Sequence, residues 1–486
     1  MEQVIAQAKK QFEDILKYVQ EEAQNQQINE VEKGIFRSLL ELGLTFLRIF
    51  LQQKGVGYKG RVHLDKEGNE RSYHSKKNKK YLSIFGKISI LRACYWTKEK
   101  GEIYPLDTEL NMPKIEHSYV LQEWGAILGS EEPYKKSAKF LETILGIPLW
   151  GSTIETIIQR AGIDAPNFYK ERQEPFKKSE KEIFVATADG KGIVMKKGEL
   201  EKPPPKKKPR KMKKKGERSK KSQAESELKP GKKKMSTVIG AYTISRHKRT
   251  AESILSKKKK NDPPRPVNKV VQATLEGKEE AIQRLKAEVE KRDPQREKQS
   301  VALVDGEHKL RNLLKTYLPW FTIIIDIFHV MEYLWMGAHI FFKKGSAKAQ
   351  SWVTDKLTKL LNGKIEEIIS ELKRDLEAIS QSKKKQLLKI ITYLENGKEH
   401  MRYDKYLVKG YPIGSGVVEG ACKNLVKDRM EQSGMQWTIN GAEAVLSMRS
   451  IQINGMANDY WRYHISKERE RLYGSFMESE MSELAA

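Results

Sequence analysis

Two stretches, EIFVATADGKGIVM (182–195) and SVALVDG (300–306), decide how this chain folds. Each is an apolar, β-rich run that reads as a strand ending at an Asp-Gly pair, Asp189-Gly190 in the first and Asp305-Gly306 in the second. Short apolar runs bounded by turn residues suit strands buried on both faces. A carboxylate at the end of such a strand, followed by Gly, is placed to face a cleft beside the sheet. Asp-Gly alone is ordinary turn chemistry. The repetition of strand length, apolar character and terminal Asp is what carries weight.

Working outward, residues 181–329 alternate strand and helix. MSTVIGAYTI (235–244) reads as a further strand, LEGKEEAIQRLKAEVEKR (275–292) as a charged amphipathic helix, and FTIIIDIFHV (321–330) as a buried strand run. Residues 330–400 carry no strand signal and read as a long helical stretch. From Pro412 a Gly-rich turn, IGSGVVEG (413–420), opens a helix that bears Glu419.

Upstream, residues 1–53 read as helices. Phe36, Leu39, Leu40, Leu44, Leu47 and Phe50 recur at helical spacing, the pattern of a core-packing helix. YLSIFGKISILRACYW (81–96) has the β-branched and aromatic content of a hairpin or small sheet. Residues 119–162 return to helix and break at Gly146-Ile147-Pro148. They resume at Ser152-Thr153-Ile154-Glu155, a capping-box start, in a pattern compatible with a helix-turn-helix.

The chain has 486 residues, room for several domains, and 91 Lys plus Arg against 64 Asp plus Glu, a net charge of +27. Such an excess points to a polyanionic partner, and nucleic acid is the usual one. The tract KPPPKKKPRKMKKKGERSKKSQAESELKPGKKK (202–234) holds 16 Lys/Arg and 3 Glu, a net of +13, so +14 remains elsewhere (27 − 13). Pro, Gly, Ser and Lys supply no core, so this tract is expected to be a disordered arm that clamps phosphates. Only Cys94 and Cys422 are present, too few for a disulfide framework or a C-x-x-C site. The first twenty residues lack a signal-peptide core, and Leu42–Leu51 is too short and too charged, with Arg48, to span a bilayer. The expectation is a soluble intracellular protein, not associated with membrane.

Phosphodiester chemistry by two metal ions about 3.5–4 Å apart needs roughly three convergent carboxylates. Mg²⁺ prefers such hard oxygen ligands. Asp189 and Asp305 supply two, and Glu419 is the candidate third. Other catalytic arrangements fit worse. Ser415 lacks the G-x-S-x-G spacing of a nucleophile elbow, and there is no G-x-x-x-x-G-K-[ST] loop. Asp326 and His329 could ligate a metal, although a single His after an apolar strand is more often structural.

The order Ala-Asp189-Gly, Val-Asp305-Gly, Asp326-x-x-His329 and Gly-Ser-Gly-Val-Val-Glu419 resembles the bacterial insertion-sequence transposases of the Kra-type group, allied with the Mutator-like DDE transposases. IGSGVVEGACKNLVKDRMEQSGMQWTINGAEAVLSMRS (413–450) is the most specific part, and YPLDTELNMP (104–113) also resembles the group. The likeness runs from about residue 81 to 455. It implies a multidomain α+β protein with a ribonuclease H-like α/β catalytic core interrupted by an all-helical insertion. Ahead of the core would stand a mostly helical DNA-binding region with a small β-hairpin segment. The implied boundaries are a helical region 1–80, a β segment 81–115, a helix-turn-helix-like region 116–178, core 179–334 with the basic loop 196–234, helical insertion 335–401, core 402–455 and helical tail 456–486. It also implies metal-dependent cleavage and strand transfer at terminal inverted repeats, with two Mg²⁺ or Mn²⁺ ions on Asp189, Asp305 and Glu419. Asp326 and His329, which resemble the C/D-x-x-H motif of the Mutator-like enzymes, would be accessory. Partners would be double-stranded DNA and, on DNA, further copies of the chain. Lys206, Lys207, Lys208, Arg210, Lys213, Lys214 and Lys215, with Arg429 and Trp437, are the expected DNA contacts. Where the group carries a cysteine pair, RACYWTKEKGEIYPLD (92–107) has only Cys94, against a zinc ribbon. The competing readings are a structure-selective nuclease of the same fold and a non-catalytic DNA-binding derivative.

Basic segments bind phosphates without reading bases and make affinity salt-dependent. Deleting residues 202–234 should therefore weaken binding to any DNA and flatten the slope of log affinity against log salt. Preference between sequences should change little. Salt titrations of the intact and deleted proteins on two unrelated duplexes measure this, and an unchanged slope would remove the tract from the interface.

Overall fold

The computed structural model describes residues 1–65, 67–172, 180–200, 233–256 and 264–474. Of the expected basic arm, residues 202–232 lie outside the described residues, Lys206 to Lys215 among them. Two compact units emerge, one from residues 1–165 and 456–486, the other from 166–455. Among the described residues no helix is long and apolar enough to cross a membrane.

The first unit opens with helices α1 (Glu2–Gln20) and α2 (Ile28–Lys54), joined by a short turn. A four-stranded antiparallel sheet follows in the order β1 (Val62–Leu64), β2 (Glu70–Ser83), β3 (Gly86–Thr97) and β4 (Gly101–Ile103). This corrects the expected boundary, because the sheet begins about twenty residues before Tyr81. The missed strand, ERSYHSKKNKKYLS, carries few apolar residues. It is held by pairing along most of its length with β3, whose Ile88 and Ile90 are buried. Helix α3 (Pro105–Glu109) lays Leu106 on those isoleucines, together with Met112, Leu44, Leu47 and Leu51. Only that side of α2 meets this core. Phe36, Leu39 and Phe50, expected to be core residues, remain 44%, 50% and 45% exposed.

Helices α4 (Tyr119–Glu131), α5 (Tyr134–Leu145) and α6 (Gly151–Ala161) form a small bundle. Helix α5 ends in a left-handed Gly146. The expected capping box at Ser152 is absent. Helix α6 starts two residues earlier, with Trp150 at the N-cap and no side-chain cap bond, so Ser152 already lies inside the first turn. The C-terminal helix, Ala457–Tyr473, expected as a tail, completes this unit. His464 Nδ1 and Arg471 Nη2 lie 2.7 and 2.6 Å from the buried carboxylate of Asp164, and Tyr460 donates to the Ala161 carbonyl.

The second unit begins with α7 (Ala165–Glu171) and is built on five strands: β5 (Ile183–Val194), β6 (Lys233–Ile244), β7 (Val267–Thr274), β8 (Gln299–Val304) and β9 (Thr322–Ile325). Their order is β7-β6-β5-β8-β9. Strand β6 is antiparallel to both neighbours, whereas β8 and β9 run parallel to β5. Three expectations change. Asp189 lies within β5 rather than at its end, because β6 pairs with β5 as far as Val194. The expected strand 321–330 stops at Ile325, where Asp326 caps a helix. Lys233 and Lys234, assigned to the basic loop, open β6.

Both sheet faces are covered, as strands of parallel sheets require. Helices α8 (Ala251–Leu255), α9 (Lys278–Arg292) and α10 (His308–Tyr317) follow in sequence, and α9 and α10 pack on Phe184, Ala186, Ala302 and Val304. The opposite face, with Ile183, Val185, Val301 and Leu303, carries the helical run that was expected without strands. That run comprises α11 (Ile327–Phe341), α12 (Ala347–Leu361), α13 (Ile365–Asp375), α14 (Gln381–Gly397) and α15 (Tyr403–Lys409). It begins at 327 rather than 335. Beyond it come α16 (Gly416–Ala421), a π-helical turn (Cys422–Lys427), α17 (Asp428–Met430) and the buried α18 (Ile439–Ile453).

In the α4–α6 bundle, Gly129 lets α6 approach closely. A Cβ there would meet Ile154 and lie 2.6 Å from Ile158 Cδ1. Overpacking of this kind costs about 1–3 kcal/mol. Gly129→Ala should lower stability by that amount in urea unfolding, despite alanine's better helix propensity, and a stabilised variant would contradict this packing.

Candidate metal centre

The parallel register builds the site. Ala188 pairs with Val304, and Val304 with Ile325. The next residue on each strand path is an aspartate: Asp189, Asp305 and Asp326. Adjacent strands lie about 4.8 Å apart, and residues at one level of parallel strands point to one side. The three carboxyl groups therefore form a row on the face that carries the helical run, just past the strands' last apolar residues. Asp326 N donates to the Val304 carbonyl at 2.8 Å, which extends the pairing by one step.

Each aspartate is held by its own backbone or by a neighbour. Gly190 N donates to Asp189 Oδ1 at 2.6 Å and Glu307 N to Asp305 Oδ1 at 2.8 Å. Asp326 is fully buried. Its Oδ1 accepts from Phe328 N at 2.8 Å as the N-cap of α11, and its Oδ2 accepts from Ser415 N at 3.0 Å and from the Ser415 hydroxyl. This pins the IGSG turn, and with it the start of α16, to the sheet edge. Gly414 fits beneath the Phe328 ring, where a Cβ would lie 2.7 Å from Cε2. Glu419, exposed on α16, is thereby brought over the row.

Asp326, His329 and Glu419 each offer a ligand atom within 4.8 Å of the others, and no other cluster among the described residues does so. The pair expected to be accessory is thus grouped with Glu419, whereas among the described residues Asp189 and Asp305 belong to no such group. Electrostatics couple all five groups. Burial, then the negative charge of Asp189, raises Asp305. Burial, then Asp326, raises Glu419. The Asp326 carboxylate, 3.6 Å from His329 Nδ1, pushes that imidazole up to about 9, with Asp305 and Asp189 adding to the effect. At 3.6 Å this contact is an ion pair rather than a hydrogen bond. Asp305 and Glu419, raised by burial and then by neighbouring carboxylates, offer hard oxygens that fit a divalent cation.

Two contributors were not foreseen. The buried Cys422 thiol, one turn beyond Glu419, donates to Asp189 Oδ2 at 3.4 Å. Its i,i+3 spacing from Glu419 was the available signal. Tyr393 of α14 donates to the Asp305 carbonyl at 3.1 Å and stacks on Tyr333 of α11 at 3.7 Å. Glu443, another carboxylate on a helix of this region, is engaged elsewhere. It accepts from Thr274 Oγ1 at 2.7 Å and Leu275 N at 2.6 Å. Arg429 and Trp437, expected at DNA, are 1% and 6% exposed. The guanidinium lies over the indole, whose Nε1 donates to the Met430 carbonyl at 3.0 Å, so both serve the core rather than a ligand surface. No protein-family model and no curated protein matches this chain.

Asn at position 305 would keep the bond from Glu307 N while removing a charge that burial and Asp189 oppose. Asp305→Asn should therefore melt no lower than the wild type in chelator, yet lose any rise in Tm produced by Mn²⁺. Differential scanning calorimetry with and without Mn²⁺ tests this. A variant that is still stabilised by Mn²⁺ would exclude Asp305 as a ligand.

Proposed function

We propose that this protein is a DNA transposase of the DDE type, cutting and joining DNA at the ends of a mobile element. The observation that carries the reading is the aspartate row set by strand register with Glu419 held over it. The five-strand order, with only the second strand in sequence reversed, suits a ribonuclease H-like core in which Asp189 lies on the first strand and Asp305 follows the fourth. The helical run between β9 and α16 suits the insertion implied by the family resemblance.

Asp189, Asp305 and Glu419 would hold the divalent ions, with Asp326 and His329 close enough to Glu419 to take part. Such ions, when bound, activate an attacking oxygen and stabilise the leaving one. The chain's own groups do the rest. Ser415 and Asp326 fix the approach of α16, and Tyr393 steadies the Asp305 loop. Exposed Lys423 and Lys427 stand one and two turns beyond Glu419, and exposed Lys196 and Lys197 follow β5. Both pairs are placed for backbone phosphates. Recognition of the element's ends falls to α4–α6, where Trp150 is 75% exposed at the start of α6.

Asp189→Asn, Asp305→Asn and Glu419→Gln should each abolish Mg²⁺-dependent cleavage of DNA carrying the element's terminal repeats. Binding of that DNA should stay within about threefold, since little phosphate-binding charge is lost. Gel assays of cleavage and binding on the same substrate provide the readout. Retained cleavage in any variant would exclude that residue. Cleavage without strand transfer or preference for the ends would favour a structure-selective nuclease.

A further inference from the structure

The α1–α2 hairpin carries more apolar surface than its own packing uses. Helix α2 meets α1 where Tyr18 packs against Gly34, buries Leu42 and Thr45, and meets the sheet through Leu44, Leu47 and Leu51. A third stripe remains. Phe36, Leu39, Phe46 and Phe50 recur at spacings of three, seven and four, and are 44%, 50%, 56% and 45% exposed. On α1, Phe12, Leu16 and Val19 form a matching stripe, 54%, 44% and 38% exposed. Each stripe is offset from the α1–α2 contact line by roughly a quarter turn or more in the sense of increasing residue number. In an antiparallel pair those offsets bring both stripes to the same side of the hairpin. A helix with one buried face carries one apolar stripe, so this surplus marks a second contact surface.

We propose that a second copy of this chain covers it, the two hairpins closing into a four-helix bundle about a two-fold axis. Size and charge choose this occupant. Taking about 200 Å² per phenylalanine ring, the four half-exposed rings alone offer roughly 400 Å². With Leu16, Val19 and Leu39 this reaches roughly 600 Å², about three quarters of the ~800 Å² per partner of a stable interface. Residues 1–54 hold 7 Lys/Arg and 8 Asp/Glu, a net of −1 (7 − 8) in a chain of +27. A surface lacking the excess of cations found elsewhere is not built for nucleic acid or an anionic bilayer. An isologous pair of antiparallel hairpins is the commonest closed solution for such a face. This association needs no DNA and is independent of the catalytic reading.

The test is sedimentation equilibrium of the nuclease-treated full chain near 10 µM. A species of twice the 56.1 kDa monomer mass is expected. Phe46→Glu and Phe12→Glu should each weaken association at least tenfold without lowering Tm, whereas Lys10→Glu should leave the dimer intact. If Phe46→Glu unfolds the hairpin, Leu39→Gln gives the same readout with a milder change. A monomeric wild type, or stripe variants that remain dimeric, would overturn the proposal. So would a monomer that binds anionic vesicles through Phe46, because the stripe would then belong to a lipid surface.

Discussion

Parallel register is the constraint on which the second unit rests. Because β8 and β9 run in step with β5, Ala188, Val304 and Ile325 share one level, and the residue after each shares the next. Three carboxylates are thereby brought together by main-chain hydrogen bonding alone, across 137 residues of sequence (326 − 189). A slip of one residue in either pairing would send a carboxylate toward α9 and α10 instead. Apolar alternation prevents the slip. Val185, Val301 and Leu303 must face the helical run while Ala186, Ala302 and Val304 face α9 and α10. The packing that stabilises the sheet is thus the same packing that aligns the site.

The helical run does more than cover one face. Tyr403 donates to the Ile325 carbonyl at 2.7 Å and Tyr393 to that of Asp305, so two buried or half-buried phenols hold the ends of neighbouring strands. Asp326 performs two tasks, capping α11 and anchoring Ser415. The helix that leaves the sheet and the helix that returns over it are therefore tied to one side chain. After Glu419 the backbone widens into a π-turn. Arg449 braces it by donating to the carbonyls of Leu425, at 3.0 Å, and Asn424. Such turns recur at functional sites because they displace one residue from regular spacing. Here the turn opens with Cys422, whose thiol lies against Asp189.

Much of this was legible from residues alone, for identifiable reasons. The strands around Asp189 and Asp305 are apolar and β-branched, and the strandless 330–400 stretch has clear helical periodicity. Where composition and structure part, a neighbour supplied what the segment lacked. Strand β2 is nearly all polar and exists because β3 pairs with it. Asp189 looked terminal because Asp-Gly reads as a turn, yet β6 carries β5 onward for five residues. FTIIIDIFHV gave no sign that Asp326 would cap a helix, since capping is settled by the geometry of Phe328 N and Ser415. Arg429 and Trp437 were read as surface groups by chemical type, and only the fold places guanidinium over indole in the interior. The aspartate row itself required register, which no single segment encodes.

The charge pattern joins these parts. An acidic cluster within a strongly basic chain is disfavoured by its own repulsion and favoured by the surrounding cations. Burial, and then the charge of Asp189 or Asp326 alongside, raises both Asp305 and Glu419, so the sheet edge disfavours their ionised forms. His329 relieves some of it from within, drawn toward Asp326 and influenced by Asp305 and Asp189. A divalent ion would relieve more. Repulsion among the carboxylates and the capacity of their oxygens to hold a divalent cation thus come from one arrangement.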